Sequence, residues 1–83
     1  MASTVDYTLE FVTGGLMPKW TKVVPYANDA AAITEGRKLL EGYCASREPA
    51  GPASLLIGCG AERPGVRWLG AWHWDNGPCW MAA

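Results

Sequence analysis

The stretch VDYTLEFV, residues 5–12, constrains this chain most. Val5, Tyr7, Leu9 and Phe11 alternate with Asp6, Thr8 and Glu10. A period of two belongs to a strand with one buried and one wet face. A sheet with one apolar face needs something laid over it. The chain offers one segment for that task. DAAAITEGRKLLEGYCA, residues 29–45, is rich in helix formers, and Asn28 or Asp29 is a good N-cap for it. Ile33, Gly36, Leu40 and Tyr43 recur at helical spacing, with Leu39 and Cys44 beside them. Gly36 costs roughly 1 kcal/mol of helix propensity, which close approach of the helix to the sheet would justify.

The remaining segments read as strands. KWTKVV, 19–24, follows the turn residues TGGLMP and is closed by Pro25, so it pairs with the first strand as an antiparallel hairpin. SREPAGPA ends the helix as a loop. SLLIGC, 54–59, and VRWLGAWHW, 66–74, are apolar strands separated by GAERPG. Asp75-Asn76-Gly77 then signals a tight hairpin, with PCWM able to return as a short fifth strand. The expected architecture is α+β, in the order ββαββ. It is an antiparallel four-stranded sheet, extendable by the short fifth strand, with one helix packed on one face. Residues 1–83 are expected to form one small domain.

The function classes are narrowed by charge. Lys and Arg number 7 against 8 Asp and Glu, a formal net charge of −1. Phosphate binding needs clustered cations, so direct nucleic-acid contact is not expected. No apolar run approaches the ~20 residues of a membrane span. MASTVDYTLEF lacks the basic and apolar regions of a signal peptide, and a cytoplasmic location is expected. Cys44, Cys59 and Cys79 are then three reduced thiols; in an oxidising compartment they would instead be one disulfide and one free thiol.

Catalytic and ligand patterns are sparse. His73 is the single histidine, and with Cys79 or Cys44 it could form a nucleophilic Cys–His pair. Spacing alone does not imply that geometry. The cysteines lack the paired spacing of a zinc knuckle, and GCGAER carries Arg63 where a dinucleotide fingerprint needs glycine. Neither metal nor cofactor is expected.

Four of the five tryptophans lie in the last sixteen residues. Strict alternation puts Trp68, Gly70, Trp72 and Trp74 on one face, and Arg67, Leu69, Ala71 and His73 on the other. One helix cannot cover both faces, and the last two long strands are apolar on both. Either face of this strand could lie under the helix, so the tryptophans serve a thin core, with Arg67 and His73 in solvent, or a contact surface, or both. The surplus points to a partner-binding surface over residues 66–80, built from Arg67, Trp68, Trp72, His73, Trp74 and Trp80. Trp and Arg are favoured anchors at such surfaces. The occupant would be another protein or a second copy in a two-fold homodimer.

The order VDYTLEFV–KWTKVV–helix–SLLIGC–VRWLGAWHW, with the small size and near-neutral charge, resembles the small phage- and mobile-element-encoded inhibitors of the anti-CRISPR type. The resemblance implies a stoichiometric inhibitor that binds a CRISPR effector complex and blocks target DNA or nuclease recruitment. A net charge of −1 suits a contact-based block better than DNA mimicry.

Overall fold

The computed structural model describes residues 3–13, 18–46, 53–61 and 65–83. Along the chain these form strands β1 (Val5–Thr13) and β2 (Pro18–Tyr26), helix α1 (Asp29–Ser46), and strands β3 (Ala53–Cys59), β4 (Arg67–Trp74) and β5 (Pro78–Ala82). The strands make one sheet in the order β2-β1-β3-β4-β5, antiparallel at every pairing. The α+β architecture with one helix against an antiparallel sheet is therefore as the sequence predicts, and the short fifth strand is present. β2 and β3 run parallel on either side of β1, so α1 is the crossover of a split β-α-β unit.

Residues paired across antiparallel strands share a face. Tyr7, Leu9 and Phe11 of β1 pair with Cys59, Ile57 and Leu55 of β3, and all of these point toward the helix. The core consists of Tyr7, Leu9, Phe11, Ala53, Leu55 and Ile57 from the sheet with Ala32, Leu40 and Cys44 from the helix. Each large apolar side chain buried there contributes about 1.5–3 kcal/mol. The helical stripe is rotated slightly from the expected one. Ala32, Gly36, Leu40 and Cys44 are buried, whereas Ile33 and Tyr43 are half-buried and Leu39 is exposed. Small residues at 32 and 36 let the backbone settle closest to the sheet. A Cβ on Gly36 would stand 2.5 Å from Ile57 Cδ1 and 3.4 Å from Leu55 Cδ2, the close approach that excuses a glycine in mid-helix.

Asn28 caps the helix, its Oδ1 accepting from the Ala31 amide at 2.8 Å. Tyr7 donates its hydroxyl proton to Asp29 Oδ1 at 2.7 Å, tying β1 to the first turn. β2 runs through Pro25 instead of stopping before it. Because β2 is an edge strand, a missing N–H there leaves no neighbour unpaired. The turn residues expected at 14–17, at 47–52 and at 62–64 lie outside the described residues.

A second correction concerns the outer face of β1, the face away from the helix. Asp6 is exposed as expected, but Thr8 and Glu10 are 3% and 6% exposed. The reason is position. β1 lies between β2 and β3, so Thr21 and Leu56 flank Glu10, and Val23 and Gly58 flank Thr8. Thr8 Oγ1 also donates to the Gly60 carbonyl at 2.6 Å. A polar side chain in a central strand can be dry without facing the core.

Candidate functional site

The surface around β4 is decided by one irregularity. Pairing between β3 and β4 slips between Ile57 and Gly58: Ile57 faces Gly70, while Gly58 faces Trp68. Leu69 is the extra residue of a β-bulge, and a bulge reverses which face the flanking residues take. Trp72 and Trp74 stay on the helix side with Leu55 and Ala53. Arg67 and Leu69 join them, since Arg67 pairs with Cys59 and Leu69 packs on the core. Trp68 goes to the outer face with Ala71 and His73. The single-face grouping of Trp68, Trp72 and Trp74 expected from strict alternation is corrected accordingly.

Gly70 makes the bulge possible. Its φ is +153°, and a Cβ there would run into the Met81 carbonyl oxygen while standing 2.7 Å from Trp80 Cζ2 and 2.9 Å from Ala82 Cα. β5 runs close alongside this position, with Ala82 paired to Gly70. The hairpin to β5 closes through Asp75–Gly77, with Asn76 in the left-handed region at φ 56°, as the Asn-Gly pair predicts.

On the helix side, Trp72 is anchored. Its indole N–H donates to the Ile33 carbonyl at 2.7 Å, and the Arg37 guanidinium lies 5.8 Å from its ring centroid. Trp80, its partner across β4–β5, meets it with ring centroids 5.3 Å apart. Trp74 packs partly against the core. Arg67 reaches Asp29 Oδ2 at 3.5 Å, on the same carboxylate that receives Tyr7. The Tyr7 phenol is pushed up to about 12, first by that hydrogen bond and then by burial and the Asp29 charge.

The outer face of β3–β5 is different. Leu56, Trp68, Ala71, His73 and Met81 line an open groove of about 310 Å³. Gly58 is what lets Trp68 lie flat on the sheet: a Cβ there would stand 2.9 Å from Trp68 Cε3 and closer still to Val66. None of the groove's lining side chains is a Lys, Arg, Asp or Glu. At one end Ser54, His73 and Cys79 stand in a row across three strands. His73 Nδ1 shares a 2.6 Å hydrogen bond with Ser54 Oγ.

Of the six residues expected at a partner surface, then, Trp68 and His73 share the outer groove. Trp72, Trp74, Trp80 and Arg67 belong to the helix side. Leu56, Met81 and Ser54 were not singled out from the sequence. Met81, 61% exposed, shares the parity of Cys79 in β5, but its placement beside Ala71 required the hairpin register.

The register does pair Cys79 with His73. Cys79 is exposed, and its thiol faces the Gly77 carbonyl at 4.0 Å. Cys44 is on the other side of the sheet from His73, and burial pushes its thiol pKa up, which disfavours the nucleophilic thiolate. All three cysteines are free. Among the described residues no group of three or more His, Cys, Asp or Glu side chains could hold a metal ion, and no helix is long and apolar enough to cross a membrane. Comparison with protein-family models, curated proteins and solved structures returned no match.

Proposed function

We propose that this chain is a non-enzymatic protein-binding module that lays the outer face of β3–β5 on its target. The observation that carries the reading is Trp68. A bulge turns this side chain away from the core onto the face with no helix, where it borders a groove lined by Leu56, Ala71 and Met81. An open apolar groove of this kind, with an aromatic anchor beside it, is how docking surfaces are built. His73, held by Ser54, supplies a fixed polar contact at the groove's end.

The target class we name is a bacterial CRISPR effector complex, on the strength of the small ββαββ order and the near-neutral charge. The module would act in the cytoplasm as a stoichiometric inhibitor, blocking by contact. The test measures binding of the purified protein to purified effector complexes of the different types. Trp68→Ala should weaken binding roughly 30-fold or more, as expected of a hot spot worth about 2 kcal/mol. Thr21→Lys, on the outer face of β2, should leave it unchanged. Binding that ignores Trp68→Ala but is lost on Thr21→Lys would move the interface to the other half of the sheet.

One observation favours a second reading, a small Cys–His enzyme, because the hairpin pairs Cys79 with His73. In that case Cys79 should alkylate near neutral pH much faster than a free model thiol, and His73→Ala should slow it. Alkylation at the rate of an ordinary exposed thiol discards this alternative.

A further inference from the structure

The two edges of the sheet are built differently. β2 carries Lys22 and Pro25, a lysine and a proline of the kind that keep an edge from pairing with another strand. At the opposite edge, residues 76–83, NGPCWMAA, contain no Lys, Arg, Asp or Glu. This edge also turns a regular set of backbone groups outward. The Asp75 amide donates to the Gly77 carbonyl and the Ala83 amide to the Leu69 carbonyl, at 2.9 and 3.0 Å. Both bonds are in phase with the pairs His73↔Cys79 and Ala71↔Met81. Backbone direction alternates along an antiparallel ladder. Cys79 and Met81 therefore aim their amides and carbonyls at β4, whereas Pro78, Trp80 and Ala82 aim theirs at the open edge.

We infer that two copies of the chain join along their β5 edges, antiparallel, about a two-fold axis at Trp80. This rests on the reading of the C-terminal sheet as a protein-binding surface and names a second copy as an occupant of its edge. The pattern is self-complementary. Trp80 exchanges reciprocal backbone bonds with its counterpart, and at each end the Ala82 amide of one copy donates to the Pro78 carbonyl of the other. Pro78 has no amide to leave unpaired, so every outward donor of the strand is used. Centring the pair on Pro78 would waste this match, because two residues without donors would face each other. The side chains agree with the backbone. On the helix side the Trp72–Trp80 pair meets its mate, extending the tryptophan row across the axis. On the outer side Cys79 stands beside Met81 of the second copy, so exposed apolar surface meets its like without any opposed charge. The axis is perpendicular to the sheet, so the two outer grooves continue into one surface. Isologous pairing of this kind is the commonest route to a homodimer.

The register can be read directly. Residues facing each other across a non-hydrogen-bonded pair have Cα atoms about 4.5 Å apart, within the range a disulfide spans. Met81→Cys should therefore yield a covalent dimer under mild oxidation, through Cys79 of the other copy, and Met81→Cys with Cys79→Ser should not. The wild-type chain should show a concentration-dependent monomer–dimer equilibrium by sedimentation. Ala82→Pro removes an outward donor while sparing every bond to β4, and should abolish the dimer with an unchanged circular dichroism spectrum. A wild type that stays monomeric up to its solubility limit overturns the proposal, as does a dimer indifferent to Ala82→Pro or a cross-link that survives Cys79→Ser. Should Ala82→Pro fail to fold, the cross-link pair still decides. Target binding is a separate readout. A wild type that binds its target while staying monomeric overturns only the dimer. A Trp68→Ala protein that dimerises without binding removes nothing from the edge pairing.

Discussion

Trp68 and Trp72 stand four residues apart on the same strand, have the same parity and lie on opposite faces of the sheet. Trp72 is fastened to the helix through the Ile33 carbonyl and braced by Trp80. Trp68 lies over Gly58 on the face without a helix. The difference arises at Leu69 and Gly70, where one extra residue re-phases the strand. A tryptophan-rich strand is thus divided between the helix side and the outer face of the sheet, and the division is made by backbone geometry instead of by residue type.

The contrast can be broken most severely at Trp72. Trp72→Ala should cost about 3–5 kcal/mol in denaturant unfolding, because it empties the space under the helix and removes the indole bond to the Ile33 carbonyl. A loss below about 1 kcal/mol would show that Trp72 is no more structural than Trp68. Next comes Gly70→Ala, which attacks the bulge. A methyl group there collides with the Met81 carbonyl in a backbone conformation that L-residues seldom adopt, so about 2–4 kcal/mol should be lost. Amide exchange should speed up first in β5. Trp68→Ala sharpens the comparison from the other side. It should change folding stability by less than about 1 kcal/mol, while weakening target binding roughly 30-fold or more. Equal damage to folding and binding would make Trp68 a core residue.

The smallest effect is invisible at neutral pH. Arg67, one residue before Trp68, takes the opposite face and meets the Asp29 carboxylate that also holds Tyr7. The Tyr7 phenol is raised from 10.0 to about 12 in the folded protein. Its contribution to stability is therefore complete below pH 10 and is lost as the pH climbs through about 12. The wild type should show this alkaline decline between those limits, and Tyr7→Phe should lack it. A decline of the same size in Tyr7→Phe would place the titrating group elsewhere.

Much of the fold was legible because it rests on local periodicity. Tyr7, Leu9 and Phe11 face inward as their alternation requires, Asn28 caps the helix, and Asn76 turns the last hairpin. The misreadings share a cause. Thr8 and Glu10 look wet from alternation alone, and their burial depends on β2 and β3 flanking them from distant parts of the chain. Ala32 and Cys44 displace Ile33 and Tyr43 as the deepest residues because the helix settles where its small residues allow. The candidate site was half legible. Trp68 and His73 were named, but Leu56, Met81 and Ser54 reach them only through strand pairing.

By itself the sequence determined the element types, their order, the helix-facing side of β1 and the surplus of apolar surface near the C-terminus. Those follow from side-chain period, cap and turn chemistry, which act over a few residues. Tertiary structure alone decided which tryptophans pack against the core and which one lies on the outer face. A one-residue slip in a strand inverts every side chain on one side of it. Whether the slip occurs depends on how Gly58 and Gly70 let neighbouring strands close over them, and no local pattern in β4 encodes that.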